Sequence, residues 1–467
     1  MGTIAIAGGG MVGLAAACML ADDGHEVTVL ERDGEPPPPD VEAAYHDWKR
    51  QGVGQFRLAH WLHPRGTHVL RERVPRAYEL LDENGGYHFN FLNYVLSITG
   101  GEPEDDVDQY ELLTGRRSTL EWALASAASE HPGVTVRRGR PISGVLVGDE
   151  QIDGVPHVTG LRLDGEEISA DVVVDATGRR SPTPAWLAEI GARPPLEESE
   201  DSGFAYYGRY FQSGDGSVPP LLGPLLTAYE SFSVLALPAD NGTWSATVYG
   251  LSEDKALRRA RDPEVYARVL RACPLHAHWL DGKPISDVLT MAGVVDTHRQ
   301  FVVDGVPCAT GVLTVGDASS CTNPSLGRGI TIGLMHAEVL CASIADHLDD
   351  PVALALDFHA RTEREIRPWH DATVAVDRRR VEEMRTFLRG EQPNPTPEER
   401  LADVMLAAVA TDPIARRAAF DIFSCLELPA NVMSRPGLVD HLHSLEAKID
   451  LTPPPGPDRA QLEELLS

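Results

Sequence analysis

The chain has 467 residues, of which 42% are hydrophobic and 24% are charged, and its formal net charge is −29 at pH 7. This length exceeds one ordinary core, so we expect two packed domains of a globular protein rather than a disordered or fibrous chain. The acidic balance excludes nucleic acid as an expected partner, because binding to a phosphate backbone needs clustered Lys and Arg.

The N-terminal segment is patterned as a βαβ unit. Thr3–Ala7 alternates as a short strand does, residues 14–20 have helical composition, and residues 27–30 are strand-like. Asp22 and Asp23 interrupt the apolar helix before it could serve as a membrane anchor, and no run of about 18 apolar residues occurs elsewhere. We therefore expect a cytoplasmic protein without integral membrane association.

The turn between the first strand and the helix has the GxGxxG spacing. Gly8 permits a tight turn, Gly10 lets the backbone approach a pyrophosphate, and Gly13 permits close packing of the helix. Met11 and Val12 open the helix, whose N-terminus attracts the phosphate charge. These five residues are therefore predicted to bind a dinucleotide.

An acidic residue ends the second strand of the βαβ unit. Glu31 follows Gly13 by 18 positions, where its carboxylate can accept hydrogen bonds from the hydroxyls of an adenine-bearing ribose. It disfavours a 2′-phosphate there, and Arg32 either lies against the adenine or is solvated. At this point NAD and FAD are equally admissible.

Cysteine and histidine patterns do not indicate a metal site or disulfide framework. His60, His63 and His68 lie in the aromatic-rich stretch 45–68 without a carboxylate at ligand spacing, so no metal centre is expected. The cysteines form no CxxC pair, and buried free thiols are predicted. The six are Cys18, Cys273, Cys308, Cys321, Cys341 and Cys425.

The middle of the chain alternates helices and strands and then becomes rich in β-branched and aromatic residues. Helices are predicted at 75–84 and 118–129, and strands at 134–138, 142–147, 159–163 and 171–174. Residues 203–303 are typical of a separate antiparallel sheet that would bind the substrate. A strand at 311–315 and a helix to about residue 347 return the chain to the first domain.

Aromatic residues of the predicted sheet are candidates for a substrate cavity. Tyr206, Tyr207, Tyr210 and Trp244 offer apolar contact with polar tips, although sheet core is the expected role for most of them. Alternate residues of a strand face opposite ways, so Tyr206 and Tyr207 cannot both face the ligand.

The strand at 311–315 ends in Gly316 and Asp317, and a segment with Pro324, Gly327 and Gly329 follows. An aspartate at the carboxyl end of a strand can accept hydroxyl hydrogen bonds, and glycines allow backbone close to a flat ring. This string resembles the GD segment of glutathione-reductase-type flavoproteins, particularly the para-hydroxybenzoate-hydroxylase-like monooxygenases and their halogenase and epoxidase relatives. The resemblance implies FAD, with Asp317 on a ribityl hydroxyl and the later Pro and Gly residues beside the isoalloxazine.

Two further segments are similar to that family. Asp175 and Gly178 lie in a DATG string like that of halogenase-like and reductase-like members, which departs from the usual DG motif of hydroxylases. Arg117 is similar to the helix-opening arginine that contacts FAD, with Arg116 as the alternative.

Residues 55–60 are similar to a glutamine and histidine stretch near the flavin in epoxidase-like members. The resemblance implies that His60, Arg57 or Gln55 orients oxygen or substrate. Without it, a histidine among aromatic residues is more often a packed, hydrogen-bonded side chain.

The resemblance implies an α/β fold in which a Rossmann-type FAD-binding domain contains an inserted mixed or antiparallel β-sheet domain. The FAD-binding domain is expected at 1–200 and 304–350, with some substrate-domain strands within 85–115. The substrate domain is expected at 201–303 and a helical C-terminal region at 351–467.

The activity implied by the resemblance is that of an FAD-dependent monooxygenase. Such an enzyme hydroxylates or epoxidises a small aromatic or unsaturated substrate with molecular oxygen through a flavin C4a-hydroperoxide, and NAD(P)H or a separate flavin reductase supplies the electrons. An isoprenoid-type reductase and a flavin-dependent halogenase are the alternatives, although the WxWxIP signature of halogenases is absent. A non-catalytic FAD- or nucleotide-binding protein is a further alternative of a different class.

Overall fold

The computed structural model describes residues 1–101 and 107–467. Part of the range 85–115, where substrate-domain strands were expected, lies outside the described residues. The strands are β1 (Thr3–Ala7), β2 (Glu26–Glu31), β3 (Tyr87–Asn90), β4 (Glu111–Thr114), β5 (Val134–Arg138), β6 (Ile142–Ile152), β7 (Val155–Leu163), β8 (Glu166–Ser169), β9 (Val172–Asp175), β10 (Leu196–Asp201), β11 (Phe204–Gln212), β12 (Leu226–Ala228), β13 (Phe232–Pro238), β14 (Thr243–Leu251), β15 (Lys283–Pro284), β16 (Leu289–Ala292), β17 (Val295–Gln300), β18 (Val302–Val303), β19 (Val306–Pro307), β20 (Val312–Thr314) and β21 (Ser320–Cys321).

Helices occur throughout the described chain and dominate its C-terminal part. They are α1 (Met11–Asp22), α2 (Val41–His46), α3 (Pro64–Arg73), α4 (Pro75–Glu83), α5 (Phe91–Thr99), α6 (Arg117–Glu130), α7 (Thr183–Glu189), α8 (Pro263–Arg271), α9 (Gly329–His347), α10 (Pro351–Arg361), α11 (Arg367–Leu388), α12 (Pro397–Ala407), α13 (Pro413–Phe423), α14 (Pro429–Met433), α15 (Leu438–Glu446) and α16 (Arg459–Leu466).

A five-stranded parallel sheet forms the core of the first domain, in the order β20-β9-β1-β2-β5. Its strands are apolar because both faces are covered, one by helices such as α1 and α9 and the other mainly by a three-stranded antiparallel sheet of β6, β7 and β8. Asp175 is paired with Ala7 on one side and with Thr314 on the other. The carboxyl ends of these strands therefore bring together the glycine loop, the DATG segment and the Gly316–Asp317 turn. The predicted α/β class with a Rossmann-type sheet is confirmed.

A second, antiparallel sheet is built from β12, β13, β14, β11, β15 and β16. One face packs against α8 and α16 through residues such as Tyr207, Tyr266 and Leu462. The other face packs against α11, where Val381 and Met384 contact the sheet. The C-terminal region thus covers both faces of the sheet that was expected to bind the substrate.

A smaller sheet joins the two parts of the molecule, because β17 pairs with both β10 and β21. The predicted boundaries at residues 200 and 303 fall beside these strands, and the division of the chain into domains stays a prediction. A single π-helical turn, Thr362–Ile366, connects α10 to α11.

Helix α9 is long and apolar enough to cross a membrane by length and composition, with a mean hydropathy of 1.3. About two-thirds of that apolar window, 67%, is buried inside the protein. It packs against α1, α3 and α10, which accounts for its apolar character. All six cysteines are buried free thiols.

Candidate cofactor and substrate site

The glycine loop leaves an open position at the N-terminus of α1. Gly8 has a φ of +105°, and a Cβ there would lie 2.6 Å from the Ala176 carbonyl oxygen. A Cβ on Gly13 would lie 2.1 Å from the Gly8 oxygen, whereas no described atom lies within 4 Å of a Cβ on Gly10. The helix has no side-chain cap and no acidic residue in its first turn. Its N-terminus can therefore bind an anion.

Side chains near the loop hold it in place. Met11 is buried, and the Val12 methyl groups would lie 3.3 Å from a Cβ on Gly316. Contact between either residue and a ligand would thus involve the backbone. Arg32 is exposed and lies over Gly52, where a Cβ would be 2.8 Å from its Nη2.

The Glu31 carboxylate is buried and already holds the loop. Its Oε2 accepts a hydrogen bond from the Gly9 N–H at 3.0 Å, and its Oε1 accepts one from the Asp33 N–H at 2.8 Å. Arg50 Nη2 donates to the same Oε2 at 3.0 Å. Because a carboxylate has about four acceptor positions, Oε1 retains one for a ribose hydroxyl.

Arg50 is a buried site residue that the sequence pattern did not reveal. Its Nε donates to Glu121 Oε1 at 2.5 Å, and its Nη2 donates to the Gly9 carbonyl at 2.9 Å. Its guanidinium also lies 5.4 Å from the Trp48 ring centroid. Arg50 is a single arginine in an aromatic-rich stretch, and no sequence pattern connects it with Glu31 or Glu121, which are 19 and 71 positions away.

The DATG segment is organised by Asp175. Its Oδ1 accepts from the Thr177 N–H at 2.8 Å and from Thr177 Oγ1 at 2.6 Å, and its Oδ2 accepts from Thr183 Oγ1 at 2.7 Å and from Ser181. All four acceptor positions are used within one turn. This favours a structural role for Asp175 over the predicted direct cofactor contact. Gly178 is left-handed, with φ +82° and an open Cβ position.

His336 of α9 accepts a hydrogen bond from the backbone of the Gly316–Asp317 turn. The Gly316 N–H donates to His336 Nδ1 at 3.2 Å, so the ring must carry its proton on Nε2, which lies 3.1 Å from Thr362 Oγ1. The ring stacks on Phe358 with centroids 5.2 Å apart. Burial, with a smaller effect of His298, lowers the pKa of His336 to about 3.

Asp317 has the ionisable side chain of this turn. Burial raises the pKa of its carboxyl, while Arg117 and Arg179 nearby lower it. Among the described residues, its carboxylate has no hydrogen-bond partner. The half-buried Asp317 carboxyl group therefore has acceptor positions left for the hydroxyl groups of a ligand.

The two candidate arginines have different environments. Arg117 Nη1 lies 3.0 Å from His60 Nε2, its Nε lies 3.4 Å from Glu121 Oε2, and its charge acts on Asp317. Arg116 instead forms a buried ion pair with Asp240, with Nη2 2.6 Å from Oδ2. Arg116 thus connects the first domain to the second sheet, whereas Arg117 lies near Asp317, and its contact with a cofactor stays a prediction.

The segment after Asp317 lies between the two sheets. Gly327 is left-handed with φ +67°, and His63 Nε2 lies 3.0 Å from the Leu326 carbonyl oxygen. No described atom is within 4 Å of a Cβ on Gly329. Asn323, just before Pro324, accepts a hydrogen bond from the Tyr206 hydroxyl.

The sheet tyrosines face opposite ways, as their alternation predicts. Tyr206 packs with Tyr249 under α11, with ring centroids 5.0 Å apart, whereas Tyr207 packs on the α8 side. Tyr210 is buried against Tyr45, and Trp244 Nε1 donates to the Trp279 carbonyl. Two of these residues thus contact segments expected near the cofactor: Tyr206 through Asn323, and Tyr210, whose hydroxyl donates to the Leu58 carbonyl at 3.4 Å.

Arg57 and Gln55, two of the candidates for orienting oxygen or substrate, lie in the loop that follows α2. Arg57 donates to the carbonyl oxygens of Tyr45 and His46 at 2.7 and 2.9 Å, which fixes the loop around it. This favours a structural task for Arg57, and Gln55 is half-buried in the same loop. A catalytic role for Arg57 or Gln55 stays a prediction. Within residues 1–101 and 107–467 no cluster of three or more metal-ligating side chains is found.

Comparison with known proteins supports the architecture. The family described as an NAD(P)-binding Rossmann-like domain matches residues 6–37, which include the glycine loop and Glu31. Protein Rv3254 of Mycobacterium tuberculosis is 27% identical over 354 residues, which cover 71% of this chain and 70% of that protein. The N-terminal βαβ unit is thus similar to an NAD(P)-binding Rossmann-like domain.

Several solved structures with the same fold are flavin-dependent proteins. PqsL of Pseudomonas aeruginosa, a probable FAD-dependent monooxygenase, aligns with a TM-score of 0.60 at 19% identity, over 82% of this chain and 96% of that chain. The flavin-dependent brominase Bmp2 aligns with a TM-score of 0.62 at 13% identity, over 94% and 98% of the two chains. OxyS anhydrotetracycline hydroxylase of Streptomyces rimosus aligns with a TM-score of 0.56 at 20% identity, over 91% and 76%. The chain has the fold of these FAD-dependent monooxygenases and flavin-dependent halogenases.

Proposed function

We propose that the protein is an FAD-dependent monooxygenase acting on a small organic substrate. The observation that carries the proposal is the half-buried Asp317 carboxyl group, whose pKa is raised by burial and which has no hydrogen-bond partner among the described residues. It stands at the sheet edge where the open glycine loop and Arg117 converge. A dinucleotide with a polyhydroxylated chain fits this set of groups better than NAD, whose second ribose has fewer hydroxyls to offer.

The chain's own residues would divide the binding of FAD between them. Gly10 and the N-terminus of α1 would bind the pyrophosphate, and Glu31 would accept from a ribose hydroxyl. Asp317 would accept from the ribityl chain, and Arg117 would lie beside it. The open Cβ position of Gly329 leaves room for a flat ring.

Bound FAD would supply the redox chemistry that activates molecular oxygen for transfer to the substrate. The protein would orient the substrate and exclude water, with the second sheet and α11 as the walls of that compartment. NAD(P)H or a separate flavin reductase would provide electrons, and we propose the cytoplasm as the location. The substrate would be aromatic or unsaturated, because such groups accept an electrophilic oxygen.

The visible spectrum of the purified protein tests the cofactor, and stopped-flow reoxidation tests the activity. We expect a yellow protein with an oxidised-flavin band. After anaerobic reduction, mixing with oxygen should give a transient absorbance at shorter wavelength before that band returns. A colourless protein that FAD cannot reconstitute would contradict the proposal, and the variant Asp317→Ala should lose most of the flavin.

A flavin-dependent halogenase is the second candidate, because Bmp2 and CmlS share the fold. Adding bromide or chloride to the turnover mixture distinguishes the two activities by product mass. An isoprenoid-type reductase would turn over without oxygen. A flavin that is bound but never reoxidised with product formation would indicate a non-catalytic binding protein.

A further inference from the structure

Helix α11 brings a buried acid to the segment beside the proposed flavin site. Asp377 lies on this helix, 2% exposed, with its Oδ2 unpartnered among the described residues. Ser325, between Pro324 and Gly327, is 3% exposed, and its hydroxyl is likewise without a partner. The two groups lie close enough for the Ser325 hydroxyl to lower the pKa of Asp377, but they do not meet hydrogen-bond geometry, so both remain costly to bury without a further partner.

We propose that Asp377 and Ser325 form the polar end of the substrate site, where they donate hydrogen bonds to a neutral carbonyl oxygen of the substrate. This inference rests on the proposed function, because it places the substrate next to the flavin-proximal segment. It adds a specificity-determining residue from the C-terminal region to that function.

Position supports the assignment. The Tyr206 hydroxyl, on the sheet face that α11 covers, bonds to Asn323 two residues before Ser325. Asp377 is close enough to Tyr206 and Tyr249 to raise the pKa of each hydroxyl, although burial is the larger cause. The acid therefore lies where the second sheet, the flavin-proximal segment and α11 meet.

The protonation of Asp377 favours a neutral ligand atom over a cation. Burial is the main cause that raises the pKa of Asp377 to about 7, and Asp296 adds to it. Ser325 and Arg328 act in the opposite direction. At neutral pH a large fraction of the side chain is a carboxylic acid, which donates a hydrogen bond to an oxygen as only the neutral form can.

Neighbouring acids and bases do not compete for this role. Asp296 already accepts from Ser202 and from the Asn323 N–H, both at 2.5 Å. His370, two turns before Asp377 on α11, has Nδ1 3.2 Å from Asp371 Oδ1. Arg328 lies over the Trp369 ring, with its guanidinium carbon 5.5 Å from the centroid.

The first test does not depend on a bound flavin. Infrared spectra of the protein as purified should contain the carbonyl band of a protonated carboxyl that disappears as the pH rises through neutrality. The component of the band that titrates near pH 7 should be missing in Asp377→Asn and retained in Glu382→Gln, a matched control that removes an exposed acid of the same helix. Persistence of that component in Asp377→Asn would overturn the inference.

The second test measures binding of acetophenone, a neutral probe whose carbonyl oxygen can only accept hydrogen bonds, by calorimetry. Wild-type protein should bind acetophenone at pH 6 at least tenfold more tightly than Asp377→Leu, and Ser325→Ala should weaken binding several-fold. Affinity should fall above pH 7 in the wild type but stay level in Asp377→Asn, whose amide donates at every pH, so this second variant keeps the test valid if Asp377→Leu does not fold. Equal or absent acetophenone binding in wild type and variants, or tighter binding of benzylamine, would overturn the inference.

These tests distinguish failure of the monooxygenase proposal from failure of the Asp377–Ser325 site. A protein that does not retain FAD, yet shows the titrating carboxyl and the Asp377-dependent binding of acetophenone, would contradict the monooxygenase proposal and leave this site in place.

Discussion

Arg117 Nη1 lies 3.0 Å from His60 Nε2, so the guanidinium donates to an imidazole that must be neutral. The other ring nitrogen, Nδ1, lies 2.9 Å from the Leu58 carbonyl oxygen and donates to it. Burial, together with the charge of Arg117, lowers the pKa of His60 to about 3. His60 therefore acts on Arg117 as a fixed hydrogen-bond acceptor.

Removing this acceptor should weaken cofactor binding. In His60→Ala, Arg117 loses the bond that orients it beside Asp317, and we expect the dissociation constant of FAD to rise five- to tenfold, about 1 kcal/mol. His60→Gln supplies an amide oxygen and should recover much of the affinity. Fluorescence titration with FAD measures both variants. Equal affinities for the Ala, Gln and wild-type proteins would show that His60 does not orient Arg117.

The open position at Gly10 provides a test of the phosphate site. A methyl group at Gly10 meets no described atom within 4 Å, so Gly10→Ala should fold with an unchanged melting temperature. The methyl would occupy the space into which a pyrophosphate must come, and FAD affinity should fall at least tenfold, about 1.4 kcal/mol.

Gly214→Ala is the matched control for Gly10→Ala. Gly214 also has an open Cβ position without positive φ, but it lies in an exposed loop away from the glycine loop. Both FAD affinity and melting temperature should remain at wild-type values. If Gly10→Ala bound FAD as well as this control, the pyrophosphate would not lie at the start of α1.

Adjacent tyrosines of β11 lie on opposite faces of the second sheet, so substituting each one tests one face. Tyr206→Phe removes the donor to Asn323 and leaves a buried amide oxygen unpaired, which should cost about 1 kcal/mol of stability. If the proposed activity holds, looser support of the next residue, Pro324, should increase the fraction of oxygen released as hydrogen peroxide. Tyr207→Phe changes the opposite face, and we expect no such increase. Urea unfolding and a peroxide assay distinguish the variants.

His336 should make the fold sensitive to acid. Its pKa in the folded protein, about 3, lies below the value of 6.5 for an unperturbed histidine. Below pH 6.5 the unfolded chain therefore binds a proton that the folded protein excludes, and stability falls as the pH falls. The contribution of this group at pH 5.5 is about 1.4 kcal/mol, and it vanishes above pH 7.

A variant measures the contribution of His336 directly. His336→Gln retains an oxygen acceptor for the Gly316 N–H but does not titrate. Its free energy of unfolding should decrease less than that of the wild type between pH 8 and pH 5.5, by about 1.4 kcal/mol. Identical pH profiles would mean that His336 can be protonated without disturbing the Gly316–Asp317 turn.

Local sequence was sufficient for the elements that build the cofactor site. The strand Thr3–Ala7, the glycine loop and the strand before Gly316 carry periodicities and turn residues that act over a few positions, and the structure contains each of them. Their convergence also follows from sequence, because the carboxyl ends of parallel strands meet at one edge of a sheet. The prediction of the sheet tyrosines' opposite orientation rests on the same kind of local rule.

Only the tertiary structure decided which polar side chains meet. Adjacent arginines 116 and 117 are alike in sequence, and the position of Asp240, 124 residues beyond Arg116, separates their roles. Arg50 reaches Glu31, and Asp377 reaches the segment of Ser325, for the same reason. Such pairs depend on the packing of distant elements and leave no periodicity in the chain. Sequence alone thus determined the fold and the position of the cofactor loop, whereas the packing of helix α11 determined the polar groups around the proposed substrate.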